Sequence, residues 1–289
     1  MAIFSYTSAL GEVLSLTGGK NYKLINIDGQ TAAAAALSTL VTGGVDGDII
    51  NSTQAQPRTI VLDLRIINEV EKTKREILQI VKLKQQGTLT WTQNERTLVI
   101  KGTVESIDLS RWTNESLMQI TIHCSQPFWE TVDYVVNELR EYIGLHYFTD
   151  YPNDMLYFLD EGIPFGVYDT TKTQEYYNNG DVSVGLEIEI QALETCTNPI
   201  IYNQNGEFFG CGYGTGNKQI VMQQGDVITI NTRKNEKSAK LNGVSILGKI
   251  KPSSTWLQLQ TGKNTFSFNS DEESLFNMRI VMTYKLLYV

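Results

Sequence analysis

The segment Arg58-Thr-Ile-Val-Leu-Asp-Leu-Arg-Ile66 opens the stretch that decides the fold, which continues to Trp129. Its apolar side chains alternate with other residues and share one face: Ile60, Leu62, Leu64 and Ile66. Asp63 and Arg65 lie on the opposite face. Because successive side chains of a strand point to opposite faces, this pattern predicts an antiparallel strand with one buried face.

A helix is predicted next, over residues 68–86. Asn68 is placed as its N-cap, with Glu71 three residues later in the position of a capping box. Apolar residues at helical spacing form one stripe, which consists of Val70, Ile77, Ile80 and Val81. Gly87 is predicted to end the helix in the left-handed conformation that glycine adopts without steric cost.

After Gly87 the apolar period returns to two, which predicts a hairpin and a further strand. Thr88–Thr92 and Arg96–Val104 form the hairpin around a polar turn at Asn94. Ser116–Cys124 follows as a strand, and the stretch closes on Pro127-Phe-Trp129. A single helix among short strands predicts a mainly β protein whose first domain is α+β.

The second half of the chain shows the strand spacing of a β-sandwich. Val182–Ile190 alternates cleanly, and Lys240-Leu-Asn-Gly-Val244 places Asn-Gly where a two-residue hairpin needs positive φ angles. A long closing strand is predicted over Met278–Tyr288. These signals predict a second domain built from two antiparallel sheets.

The residues between the two halves are harder to assign. Val132–Arg140 fits either a strand or a short helix. Tyr142–Tyr177 is aromatic and turn-rich, and it is too apolar for a disordered linker, so we expect it to pack between two domains. The predicted division of the chain is therefore residues 1–135, a joint at 136–178 and a second domain at 179–289.

The order of these pieces resembles a known family. In the first half it comprises Lys23-Leu-Ile-Asn-Ile-Asp-Gly29, Gly44-Val-Asp-Gly47, Pro57-Arg58, the helix, the hairpin and Pro127-Phe-Trp129. The second half adds Asn179-Gly-Asp181, Ile188-Glu-Ile190, Asn198-Pro199, Gly225-Asp226, Gly262 with Asn264, and Tyr284–Tyr288. Together they resemble the distal tail proteins of long-tailed bacteriophages of Gram-positive hosts.

The resemblance implies an architecture and a set of partners. It implies a split-barrel-like β domain with one helix, followed by a galectin-like β-sandwich. Six copies of the first domain would form a homohexameric ring between the tail-tube protein and the tail-associated hub or lysin protein. The second domain would hold receptor-binding or other baseplate proteins, which places the chain in the virion tail tip and makes it a structural protein, not an enzyme.

Composition excludes several other classes of protein. The chain has 289 residues, 24 basic and 32 acidic, and a formal net charge of −8. Nucleic-acid binding needs a basic stripe and none is recognised in the sequence, because basic residues are interspersed with acids, as in Glu69–Glu76, so we expect no nucleic-acid partner. No apolar run approaches the ~20 residues of a membrane helix, and Met1–Tyr6 has no basic leader, so we expect synthesis and assembly in a cytoplasm.

Candidate chemistry is sparse, and we expect no catalytic residues, cofactor or metal. Glu187 and Glu189, like the adjacent Asp160-Glu161, are spaced as acids on a solvated surface are. His123 and His146 have no second ligand at metal-binding spacing. The glycine-rich loop Gly210–Gly216 lacks the Lys-Ser/Thr of a phosphate-binding loop, and Lys218–Met222 is predicted to be a strand.

A carbohydrate-binding protein is the alternative function, either an adhesin or an accessory module of a cell-wall hydrolase. β-Sandwiches bind glycans through exposed aromatic rings, and Trp256, Tyr213 and Phe209 are the candidate platform. The three cysteines are predicted to be free and buried, because an odd count in a chain made in a cytoplasm does not suit a disulfide framework.

Ring contacts are assigned to polar faces, free edges and one projecting segment. Asp46, Arg58, Asp63 and Arg65 are the candidate interface residues. The candidate edges are Lys23–Ile27 and Gly87–Thr92, because unpaired strand edges can pair with a neighbour. Gln30–Gln56, rich in Ala, Gly and Thr, is the candidate arm that reaches a neighbouring copy.

Overall fold

A computed structural model of the chain describes residues 2–31, 33–41, 43, 46–109, 116–139, 173–272 and 277–289, with the backbone alone at 142–144 and 166–168. Two compact units divide it. The first comprises Met1–Asp133 with Leu287–Val289, and the second comprises Tyr134–Leu286. The protein is mainly β with one α-helix among the described residues, as predicted.

The first unit contains a nine-stranded antiparallel sheet. The elements of the first unit, in chain order, are β1 Ile3–Ser8, β2 Val13–Ser15, β3 Tyr22–Asp28, β4 Ala35–Leu40, β5 Ile49–Ala55, β6 Arg58–Ile66, α1 Val70–Ile80, β7 Gln86–Gln93, β8 Arg96–Leu109, β9 Ser116–Cys124, β10 Trp129–Thr131 and, at the end of the chain, β27 Leu287–Tyr288. Of these strands, β4 and β5 form a separate hairpin and the other nine form the sheet. The strand order is β2-β1-β7-β8-β9-β6-β3, and β10 pairs with β8 and β27.

The strand that opens the sequence analysis lies inside this sheet. β6 pairs with β9 along its whole length and with β3 on its other side. Ile60, Leu62, Leu64 and Ile66 are buried in the core together with Ile77 of the helix and Trp129. The predicted strand Arg58–Ile66 and its inward face are confirmed.

The helix is shorter than predicted. It covers Val70–Ile80, its N-cap is Glu69 in the left-handed conformation, and no side chain caps it, so the predicted Asn68 capping box is wrong. At the other end Val81 turns into extended backbone and is buried. Core packing of Val81 therefore ends the helix, and Lys84 takes the positive φ assigned to Gly87.

Gly87 has a different role from the predicted helix stop. It lies within β7 opposite Ser8 of β1. A β-carbon at this position would lie 2.3 Å from the ring carbon Cζ of the buried Tyr6. Glycine is required here because the Tyr6 ring occupies the space of a side chain. β7 is also paired on both sides, with β1 and β8, so the predicted edge Gly87–Thr92 is wrong.

The second unit contains two main sheets. Its strands are β11 Val135–Glu138, β12 Tyr142–Gly144, β13 Gly166–Tyr168, β14 Thr173–Asn178, β15 Val184–Gly185, β16 Glu187–Ala192, β17 Cys196–Thr197, β18 Ile200–Asn203, β19 Phe208–Gly210, β20 Val221–Met222, β21 Val227–Asn231, β22 Ser238–Leu241, β23 Val244–Ser245, β24 Gln258–Leu259, β25 Gly262–Asn269 and β26 Met278–Tyr284. One sheet has the order β11-β26-β16-β21-β22-β23 and the other β14-β25-β18-β19.

These two sheets form the predicted β-sandwich. Ile188 of β16 and Phe266 of β25 are fully buried. The Tyr176 hydroxyl on β14 donates a hydrogen bond of 3.0 Å to the Glu138 carbonyl on β11, which links the sheets. Asn242 and Gly243 both have positive φ in the turn between β22 and β23, so that predicted hairpin is confirmed.

The structure adds information on three further segments. The closing strand is divided: β26 ends at Tyr284, and Leu287–Tyr288 pair instead with β10 of the first unit. Residues 132–140 were compatible with a strand or a short helix, and the structure has a strand at Val135–Glu138. Within the aromatic joint, β12 pairs with β13 and β14 pairs with β25, while residues 145–165 and 169–172, including His146 and Asp160-Glu161, lie outside the described residues.

Candidate assembly interface

The hairpin of β4 and β5 is separate from every other sheet in the described part of the chain. Its residues are almost all exposed, and its exposed apolar side chains are Leu37, Leu40, Val41, Ile49 and Ile50. Leu40 and Ile49 face each other across the hairpin. We call the segment Gln30–Gln56 the arm. Isolated two-stranded hairpins are marginally stable in water, and contiguous exposed apolar residues mark interaction sites.

The root of the arm is fixed to the first unit by two buried donors. Arg58 Nη1 donates to the Gln30 carbonyl at 2.8 Å, and Trp129 Nε1 donates to the same carbonyl at 3.1 Å. Gly29, with a φ of 74°, lies against β6, where an added β-carbon would be 2.0 Å from the Thr59 carbonyl oxygen. The arm therefore leaves the sheet from a defined position.

Arg58, a predicted interface residue, is the anchor of this root. It is only 3% exposed, and burial lowers the pKa of its guanidinium. Its Nε and Nη2 atoms have no hydrogen-bond partner among the described residues. The strand period already contained this information, because Arg58 has the same parity as the inward-facing Ile60.

The other candidate interface residues lie elsewhere. Asp63 and Arg65 share the outer face of β6, where Asp63 accepts hydrogen bonds from Gln119 Nε2 at 2.8 Å and Asn26 Nδ2 at 3.4 Å. Asp46 is exposed in the arm between β4 and β5. The structure therefore brings Asp63 and Arg65 together and separates them from Arg58. Their part in a ring contact stays a prediction.

The candidate glycan platform is only partly assembled. Phe209 is 1% exposed and packs against Trp256, with ring centroids 5.0 Å apart. Tyr213 is half-buried in the turn after β19 and makes no ring contact with these two residues. A buried ring offers no face to a sugar, so Phe209 cannot take part in a glycan platform. Trp256 and Tyr213 are the remaining candidates for glycan binding.

The candidate chemical groups of the described residues lie in ordinary surface or loop positions. Within the described ranges, no three His, Cys, Asp or Glu side chains converge as metal ligands. Glu187 forms a salt bridge of 3.4 Å with Arg233, and Glu189 is exposed on the same face of β16. The glycine-rich loop runs into a 3-10 helix at Gly216–Lys218 and the strand β20, so the predicted strand Lys218–Met222 is shorter than expected.

The three cysteines are free and buried, as predicted. Burial raises the pKa of Cys124 to about 11 and the pKa values of Cys196 and Cys211 to about 12. We expect an aromatic disulfide reagent at pH 8 to react with the native thiols at least ~100-fold more slowly than with the unfolded ones, because the thiolate is the nucleophile. Fast reaction of any thiol in the native protein would show that the core is open.

The same burial gives the unfolding free energy a pH dependence. The folded-state pKa of each thiol is raised above the unfolded value of about 8.5, so this stabilisation is fully present below pH ~8.5. It is lost as the pH rises toward the folded values of about 11 and 12. Denaturant unfolding between pH 8 and 10 measures the fall.

None of the helices in the described part of the chain is long and apolar enough to cross a membrane.

Two sequence families match the chain. Residues 10–124 match the phage tail protein RIFT-related domain, and residues 179–286 match the C-terminal domain of siphovirus-type tail components. The matches together span more than half of the chain, and with the fold they define a bacteriophage tail protein. The chain belongs to the siphovirus-type distal tail proteins, which confirms the predicted family.

One solved structure shares this fold. The Dit protein of phage SPP1, described as a paradigm of the hub adsorption apparatus in phages infecting Gram-positive bacteria, aligns with a TM-score of 0.64 at 14% identity, covering 98% of this chain and 99% of that one. Baseplate structures of phage P2 in the activated conformation, with Ca and with Sr, align at TM-scores of 0.46 and 0.47 and 11% identity, covering 99% of this chain and 98% of theirs. No curated protein matches the sequence.

Proposed function

We propose that this tail protein is a non-enzymatic hub of the tail tip or baseplate. Six copies form a ring through the first unit, with the tail-tube protein on one face and the tail-associated hub or lysin protein on the other. The second unit holds receptor-binding or other baseplate proteins. The protein is made and assembled in the host cytoplasm and then resides in the virion, and its hosts are Gram-positive bacteria.

The exposed arm is the observation that carries this proposal. Five apolar side chains project on a hairpin that the described chain leaves uncovered. A ring of identical copies needs head-to-tail contacts, in which one surface of each copy meets a different surface of the next. The arm supplies the first of these surfaces, and its anchored root keeps the two partners in a constant geometry.

The sheet edge at β3 is a second contact surface in the same ring. β3 pairs only with β6, which leaves its other edge free among the described residues, and a register shift between Leu24 and Asn26 bends it. Bulges limit uncontrolled pairing at edges. A bent edge therefore suits a specific contact better than open-ended strand addition.

Light scattering combined with negative-stain imaging of the purified full-length protein tests the ring. We expect a mass about six times that of the 32.5 kDa chain and particles with six-fold symmetry. The first measurement is made at high micromolar concentration without the tail-tube protein, and the second after that protein is added. A protein that stays monomeric in the first and forms no rings in the second would contradict the proposal.

A further inference from the structure

One segment of this acidic protein carries the opposite charge. Lys218–Lys263 contains eight basic residues against two acidic ones, whereas the whole chain has a net charge of −8. The basic residues are Lys218, Arg233, Lys234, Lys237, Lys240, Lys249, Lys251 and Lys263. The prediction that basic residues are interspersed with acids is correct for helix α1 but wrong for this segment. Its lysines lie on several strands and turns.

Four of these lysines lie in segments connected with the edge strand β19 and the turn after it, and we call them the lysine edge: Lys218, Lys237, Lys249 and Lys251. The Lys251 N–H donates to the Gly210 carbonyl at 2.9 Å, and the Lys249 carbonyl accepts from the Gly212 N–H at 3.0 Å. Lys218 Nζ donates to the Gly248 carbonyl at 2.8 Å. Lys237 joins them through Trp256, which packs on Phe209 of β19.

Aromatic rings hold two of these ammonium groups in place. Lys251 Nζ lies 5.3 Å from the centre of the Phe208 ring, and Lys237 Nζ lies 5.7 Å from that of Trp256. Cation–π contact at this range orders a flexible side chain, which lowers the entropy lost on binding. Positive charge therefore lies directly beside the faces of these two rings.

Among the described residues, the basic side chains of this segment differ in whether a carboxylate pairs with them. Arg233 pairs with Glu187 at 3.4 Å, and Lys263 pairs with Glu175 at 2.6 Å. In contrast, Lys237, Lys249 and Lys251 are exposed and have no carboxylate within 4.0 Å in the described residues. Complementary charge across an interface steers association and selects the partner, so these lysines match an acidic partner.

We propose that the lysine edge docks an acidic protein surface, rich in Asp and Glu, on another component of the assembly. The proposal rests on the docking role of the second unit in the proposed function. It adds the place of contact and the charge of the partner. Binding through exposed lysines is screened by salt, so the contact forms readily at low ionic strength and weakens as salt is added.

Fluorescence anisotropy of labelled poly-L-glutamate with the full-length protein tests this surface. The double variant K237E/K251E is expected to weaken binding at least ~10-fold at ~50 mM salt, because it reverses the two ring-anchored charges. The matched control K72E/K74E makes the same change in net charge on helix α1, where both lysines pair with glutamates, and is expected to change binding less than ~2-fold.

Further outcomes decide the proposal. An equal loss in both double variants would show that net charge alone attracts the probe and would overturn it. Tighter binding of hyaluronate or single-stranded DNA than of polyglutamate at equal charge would overturn the assignment to an acidic protein. Light scattering of the same variants separates the two proposals, because reversal of the lysine edge is expected to leave ring assembly intact.

Discussion

The double variant L40D/I49K is expected to abolish ring assembly while leaving each chain folded. Both side chains are more than half exposed in the single chain, and they face each other across the β4–β5 hairpin. Opposite charges at a cross-strand pair preserve the hairpin. Surface substitutions of this kind change stability by about 0.5 kcal/mol or less.

Assembly is expected to respond differently, because the proposed ring would bury Leu40 and Ile49 in a contact between copies. Burying even a paired Asp and Lys in an apolar contact costs several kcal/mol of lost hydration, so the assembly constant should fall by at least ~100-fold. Light scattering measures the mass, and thermal unfolding checks the fold. The control V244K/L247D exchanges two exposed apolar residues of the second unit and is expected to keep the ring. Rings formed by the arm variant would remove the arm from the assembly mechanism.

Gly29→Ala is expected to be the most destabilising small substitution at the root of the arm. A φ of 74° costs a residue with a β-carbon about 1–2 kcal/mol. The new β-carbon would also lie 2.0 Å from the Thr59 carbonyl oxygen, so the backbone must shift. That shift moves the Gln30 carbonyl away from Arg58 and Trp129. We expect a loss of roughly 3–5 kcal/mol in the free energy of unfolding.

Gly18→Ala is the matched control. Gly18 has a φ of 93°, and nothing lies within 4 Å of its added β-carbon, so only the conformational cost of about 1–2 kcal/mol applies. Denaturant unfolding followed by tryptophan fluorescence compares the two variants, because Trp91 and Trp129 lie in the first unit and contact each other. Equal losses in both variants would show that the close approach at Thr59 has no energetic consequence.

Sequence patterns predicted the parts of the fold that local rules control. The alternation in β6 identified its buried face, and Asn242-Gly243 identified a turn that requires positive φ. Helix α1 shows where such rules stop. Its caps depended on Asn68 and Gly87, but Val81 enters the core and Tyr6 occupies the space beside Gly87. Both effects come from residues distant in sequence, which local patterns do not report.

The candidate surfaces were less predictable than the fold. Arg58 was predicted to be an interface residue, although its parity with Ile60 places its side chain on the inward face, where the structure buries it. No sequence motif indicates the lysine edge, because strands and turns separate its members between Lys218 and Lys251. The surface is recognisable only once the fold is known. The arm was predicted from its composition, and the structure shows that it is a hairpin with an anchored root.

The pairing of β27 with β10 has a mechanical consequence. The chain leaves the first unit after Asp133 and re-enters it at Leu287, so the second unit is tethered by two polypeptide connections. Trp129 and Tyr288 are cross-strand partners at the point where those connections start and end. A pull on the second unit therefore loads two paired strands at once. Any load on the second unit therefore reaches the sheet of the first unit through both ends of the connecting chain.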